Sequence, residues 1–238
     1  GLINLFREGA LSGILPVVLP AFSQRLRAGE DITPGYLRGV SYLTGIAWPF
    51  FGFVALMAYP IIRILFGPQW DDAVPIARVL CLAAAIGAPW GFADQTLIAL
   101  GQIRREMYAQ AMTAPVQIAA LIALSFYGLE AAAFAAVLRF ALLSSIRTWN
   151  LKRYAGIAPG AIVRATTESA GVLALSCAGP AVVLLTMQID AGHLYLPFAI
   201  ACATAAVGWL LGVFMLAHPL RDEIVVHGGM VCRAILKR

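Results

Sequence analysis

Seven apolar stretches, each long enough to cross a bilayer as a helix, constrain this chain more than any other feature. They cover residues 2–22, 40–66, 75–100, 107–127, 129–148, 170–187 and 194–217. A helix needs about 20 apolar residues to span roughly 30 Å of hydrocarbon. None of the seven alternates strictly between apolar and polar residues, as strands of a membrane barrel do. Backbone groups in lipid must find partners within their own segment, so helices are expected. Composition agrees: 61% of residues are hydrophobic and 12% charged, about half the charge of a soluble domain. The fold class that follows is all-α, a polytopic helical membrane protein with about seven transmembrane helices.

Charge placement gives the orientation. With the loop after the first stretch on the cytoplasmic side, that side collects Arg25, Arg27, Arg38, Arg104, Arg105, Arg147, Lys152, Arg153, Arg164, Arg221, Arg233, Lys237 and Arg238. These are thirteen of the 17 basic residues. The opposite loops (67–74, 128 and 188–193) carry no basic residue but hold Asp71, Asp72 and Asp190. This is the positive-inside asymmetry, and it puts the C-terminus in the cytoplasm. The net charge of +5 is accounted for by this bias; without a basic run or aromatic-interleaved stripe, nucleic acid is not an expected partner. Cys81, Cys177, Cys202 and Cys232 show no C-x-x-C spacing, and His193, His218 and His227 are far apart. No metal site or cofactor is expected from them.

The less apolar stretch 154–169, with Pro159 and Gly160, divides the chain into residues 1–153, a bundle of five helices, and 154–238, a linker with two final helices and a cytoplasmic tail. After Pro219 the tail alternates apolar and basic residues, the pattern of an interfacial amphipathic helix, broken at Gly228 and Gly229. Gly1 falls within an apolar stretch, so we expect a preceding part of a longer protein.

Several motifs punctuate the helices. The first stretch leaves through Leu19-Pro20-Ala21-Phe22-Ser23-Gln24-Arg25, and the second through Leu65-Phe66-Gly67-Pro68-Gln69-Trp70-Asp71-Asp72-Ala73. The third ends Ala99-Leu100-Gly101-Gln102-Ile103-Arg104-Arg105, and Tyr127-Gly128-Leu129-Glu130-Ala131-Ala132 joins the fourth and fifth. Gly67 and Pro68 stop a helix and turn the chain; Trp70 suits the membrane interface. Gly101 fits a C-terminal cap, with Arg104 and Arg105 complementing the helix dipole.

In order and spacing these motifs resemble the back half of the bacterial polysaccharide flippases. That is the Wzx-like branch of the superfamily holding the lipid II flippases and multidrug extruders. The resemblance implies about fourteen helices in two lobes around a central cavity. This chain would supply the back lobe, with the missing N-terminal lobe as its partner. It further implies a bacterial inner-membrane transporter, not an enzyme, that moves a lipid-linked oligosaccharide (an undecaprenyl pyrophosphate glycan) between leaflets for polysaccharide export. The rivals are a cation-coupled multidrug extruder, a lipid II flippase and, with no large outer loop to support it, a membrane-embedded glycan polymerase.

Charged residues within the stretches are the candidate substrate-binding groups, because each costs about 2.5–3.5 kcal/mol in hydrocarbon unless it faces a cavity or a partner. Arg139 lies roughly 12 Å deeper than Arg147 along a helix; a phosphate held by two parallel hydrogen bonds and an ion pair to another helix both suit it. Arg7 is read as lumen-facing and its neighbour Glu8 as turned about 100° away. Asp94 is a partner for Arg139 or Arg7, a group for ion coupling, or a backbone cap. Arg63 snorkels to headgroups, while Arg78 suits either headgroups or a lumen mouth. Trp48, Phe50, Phe51, Trp90 and Phe92 read mainly as packing residues, though sugar stacking uses the same side chains.

Overall fold

The computed structural model describes residues 15–187, 189 and 192–225. Arg7, Glu8 and the tail beyond residue 225 lie outside the described residues, as does most of the first expected segment. Among the described residues, the α-helices with both ends in view are α1 Leu15–Arg27, α2 Thr33–Leu56, α3 Ala58–Phe66, α4 Ala73–Gly87, α5 Ala93–Ala99, α6 Ile103–Ser125, α7 Leu129–Asn150, α8 Pro159–Thr186 and α9 Tyr195–Met215. Short 3-10 turns at Pro68–Trp70 and Ala88–Trp90, and a π turn at Leu151–Ala155, complete them; no strand occurs among the described residues. Among the described residues, six spans are long and apolar enough to cross a membrane: Thr33–Leu56, Ala73–Ala99, Ile103–Ser125, Leu129–Ala155, Pro159–Thr186 and Tyr195–Met215. They answer to the last six expected segments, and the chain is a multi-pass helical membrane protein.

The spans form an open row. α9 packs on α8, α8 on α2, α2 on α4, α4 on α7, and α7 on α6, while α1 lies against α5. The N-terminal half of α2 meets the start of α8, where Ser41 Oγ donates to Ala165 O at 2.7 Å. Arg105 at the start of α6 stacks over Tyr154 after α7. Arg38 faces Glu223 beyond α9 at 3.8 Å. The basic stretches thus share one end of the bundle. Arg63 and Asp71 pair at the other end, where Phe53 and Phe198 also pack ring to ring.

Proline chemistry explains the interruptions. A proline has no N–H and its ring clashes with the carbonyl four residues earlier. Pro60 thereby ends α2 at Leu56, splitting the second expected segment; Pro89 and Gly91 likewise split the third into α4 and α5. Two of the carbonyls that prolines free in these helices are taken by tryptophans. Pro49 leaves Gly45 O without its usual donor, and Trp209 Nε1 of α9 donates to it at 2.9 Å. Pro89 does the same to Ala85 O, which accepts Trp48 Nε1 of α2 at 2.9 Å. Trp209→Phe keeps the ring and removes the donor, so it should lower unfolding free energy by about 1–3 kcal/mol; a denaturant titration in micelles with no measurable change would refute the assignment.

Three boundaries move. α2 begins at Thr33, seven residues before the expected start, with Pro34 in its first turn. α8 begins at Pro159, so residues 159–169, read as linker, are helical. Gly101, at φ +73°, caps α5 as expected: the Gln102 N–H reaches Leu97 O at 2.7 Å and the Gly101 N–H reaches Ile98 O at 2.9 Å. Arg104 and Arg105, however, belong to the first turn of α6, the positive end of that helix's dipole, and do not complement it.

A buried polar chain ties α2, α8 and the segment after α9. His218 is 1% exposed, and its Nδ1 accepts the Leu220 N–H at 3.2 Å. The proton therefore sits on Nε2, which donates to Ser169 Oγ at 3.0 Å. Ser169 Oγ lies 2.8 Å from Thr44 Oγ1, which in turn donates to Val40 O. Burial pushes the His218 pKa below the usual histidine value.

Candidate functional site

The turn at Gly128 folds α7 back against α6. On α6, only Glu106, Ala109 and Thr113 are fully buried, at the i, i+3, i+7 spacing of a single stripe. Glu106 therefore faces α7. Its Oε1 accepts Arg147 Nη2 at 2.5 Å and its Oε2 accepts Arg147 Nε at 3.3 Å, a side-on pair with 13% and 10% of the two side chains exposed. One turn deeper, Gln110 donates from Nε2 to Glu106 Oε1 at 2.9 Å and accepts Arg139 Nη2 on Oε1 at 2.9 Å. The amide suits both neighbours: its donor meets the carboxylate and its acceptor meets the guanidinium.

The network reaches the break in the Ala73–Ala99 span. Arg147 Nη1 donates to Trp90 O at 3.4 Å, a carbonyl left over where the helix is interrupted. Asp94 and Tyr36 are electrostatic neighbours of Arg147. Asp94 Oδ1 accepts the Gln95 N–H at 3.0 Å. Four buried side-chain atoms here have no hydrogen-bond partner among the described residues: Tyr36 Oη, Trp90 Nε1, Gln95 Oε1 and Arg139 Nε. Each such atom costs about 1–3 kcal/mol.

The expected residues divide between the two ends. Arg139 and Asp94 belong to this region, though no direct bond joins them; the charged neighbours of Asp94 are Arg147 and Glu106. Arg78 is exposed near the opposite end, and its Nε caps Ala55 O at 3.2 Å where α2 stops. Arg63 is bound to Asp71 and lies under the Tyr59 ring. Arg7 lies outside the described residues. Among the expected aromatics, Phe51 and Phe92 are core residues, and Trp48 is the helix-break donor described above.

Glu106, Gln110 and Arg147 were missed. Arg147 was absorbed into the basic loops. Glu106 fell outside a segment drawn from Met107, because two arginines precede it. One signal was available: Glu106 is the only acid between Asp94 and Glu130, and Gln110 follows at i+4.

Six apolar spans among the described residues, with a buried charge network between two of them, define a polytopic membrane protein. Residues 8–75 match a family model described as polysaccharide biosynthesis protein, less than a third of the chain. The match includes the Pro-x-Phe-Ser exit and the Leu-Phe-Gly turn and stops before Glu106, Gln110, Arg139 and Arg147. No curated protein and no solved structure matches the chain.

Proposed function

We propose that this chain is the back lobe of a lipid-linked oligosaccharide flippase. It would bind the anionic pyrophosphate head of a polyprenyl-linked glycan and carry it across the inner membrane without breaking a bond. Its C-terminus is cytoplasmic in this reading, and a preceding lobe supplies the opposite wall. The observation that carries the proposal is the state of Arg139. Its recorded partner is the neutral amide of Gln110, its Nε has no partner, and it pairs with no carboxylate among the described residues. A guanidinium at such depth, held by a neutral group, keeps its charge for an incoming anion. The match of residues 8–75 to a polysaccharide biosynthesis family supports the cargo class. Arg7 and Arg78 remain proposed contacts along the path, with Asp94 a balancing charge.

Arg63 and Arg78 lie at the opposite end of the bundle from this point. Around the network Arg139 and Arg147 are balanced by Glu106 and Asp94, and that acid content favours the cation-coupled extruder as the second reading. In the full-length protein, Arg139→Ala should cut glycan export by at least about tenfold, equivalent to about 1.4 kcal/mol, at unchanged expression. Arg139→Lys should restore part of it. Normal export in Arg139→Ala, with export of a cationic dye lost in Asp94→Asn, would replace the flippase with the extruder.

A further inference from the structure

The chain does not leave the bundle where α9 ends. At Ala217 it turns with φ +50°, a left-handed conformation that costs energy for any residue with a Cβ. The turn closes on α9 through the Leu216 N–H to Gly212 O and the His218 N–H to Val213 O, both at 3.1 Å. It sends the His218 ring inward against Gly45 of α2 and Ser169 of α8, and residues 220–225 continue as a helix. The ring sits where only a glycine leaves room. A Cβ on Gly45 would lie 2.5 Å from His218 Cε1 and 3.0 Å from Leu220 Cδ1, and Gly45 is also the residue whose carbonyl holds Trp209 of α9. Leu220 packs with Val172 and Val213 beside Tyr42 and Trp209, and Glu223 accepts from Tyr42 Oη at 3.1 Å. Residues 217–225 thus strap the end of α9 to α2 and α8.

The strap depends on a neutral ring. Nδ1 can accept the Leu220 N–H only without a proton of its own. That N–H opens a helix, where the first donors have no partner within the helix. A second proton would set two donors face to face at 3.2 Å and place a charge in a site 1% exposed. Among the described residues packed on the ring, no acid is there to balance it. α2 presents Ser41, Thr44 and Gly45, and α8 presents Ser169; α9 carries no charged residue. Glu223 is turned to Tyr42 and Arg38 at the surface, and Glu168, Arg221 and Asp222 are exposed.

We propose that residues 217–225 are a pH-sensitive latch, docked while His218 is neutral and released when the ring takes a second proton. Burial holds the docked ring's pKa below the ordinary value of 6.5, against an opposing effect of the Ser41 backbone. The released ring therefore binds the proton more tightly. Docking is at full strength above about pH 6.5 and weakens as pH falls below it. Acidity on the side where the basic residues gather then decides whether this end of α9 stays tied to α2. The latch is independent of what the protein carries.

Hydrogen exchange of the full-length protein in nanodiscs, read by mass spectrometry and corrected for the intrinsic pH dependence of exchange, tests the latch. Protection of amides 220–225 should be flat from about pH 8 to about 6.5, then fall by up to about tenfold per unit down to about pH 5. Amides 172–183 of α8 should keep theirs. His218→Gln cannot titrate, so its protection, high or low, should not change over this range. Gly45→Ala drives the ring out, and should show lowered protection at about pH 8 with no further fall. Glu223→Gln removes the other titrating anchor and should keep the wild-type fall. A flat wild-type profile, a fall retained in His218→Gln, a fall lost in Glu223→Gln, a wild-type profile in Gly45→Ala or a parallel loss in α8 would each overturn the latch.

Discussion

Glu106→Ala should lower the unfolding free energy by about 3–5 kcal/mol, the usual loss when one member of a buried ion pair is removed. The loss has three sources. Arg147 keeps its charge in a site where 13% of its side chain is exposed, with the Trp90 carbonyl as its remaining hydrogen-bond acceptor among the described residues. Gln110 loses the acceptor for its amide N–H. Arg139 then depends on an amide that is free to rotate. The double variant Glu106→Leu with Arg147→Leu should recover most of the loss, because well-packed apolar residues replace a buried pair at little cost. Arg38→Ala is the contrast: its carboxylate partner Glu223 is 3.8 Å away and the two side chains are 58% and 44% exposed, so about 0–1 kcal/mol is expected. Urea titrations in mixed micelles would measure all three. A loss under about 1 kcal/mol in Glu106→Ala, or a double variant less stable than the single, would show that the pair is not the anchor described.

Glu106 also shows why the site was harder to read than the fold. The spans were legible because hydrocarbon imposes one rule on every residue of a segment, and about 20 apolar residues in a row record it. The breaks at Leu56 and at Ala88–Trp90 were legible in kind, since Pro60 and Pro89 each remove a donor. What takes the freed carbonyl was not legible. Trp209 is 164 residues from Gly45, and no local pattern records that they meet. The same holds for Gln110, which bridges Glu106 on its own helix to Arg139 on the next. Hydropathy puts the boundary at Met107 because it penalises charge, while the helix starts at Ile103, with both arginines and Glu106 inside its first turn. Thr33 and Pro159 were missed for a related reason: both helices begin in polar sequence beyond the apolar stretch, and a helix does not end where the hydrocarbon ends.

Gly208→Leu should be the other large effect, through packing instead of charge. In lipid no hydrophobic force pulls two helices together, so close approach of backbones must supply the attraction, and small residues permit it. Gly208 and Gly212, one turn apart on α9, lie against α8. A Cβ on Gly208 would come within 2.3 Å of Leu175 O, and one on Gly212 within 3.0 Å of the Val172 Cα. Both obstacles are backbone atoms, which cannot rotate away as a side-chain tip can. Ser176 adds a direct bond across the interface, from Oγ to Ala205 O at 3.2 Å, which holds only while the helices stay close. A leucine at 208 must push the helices apart, losing that bond along with the packing, and about 3 kcal/mol or more is expected for overpacking against an unyielding wall. Gly160→Ala is the control, since nothing lies within 4 Å of its Cβ position at the start of α8; it should be neutral or stabilising by up to about 1 kcal/mol. Spin labels at the exposed Leu185 and Leu196 should report a wider α8 to α9 separation in Gly208→Leu and none in Gly160→Ala. An unchanged separation with unchanged stability in Gly208→Leu would mean that the two backbones do not touch there.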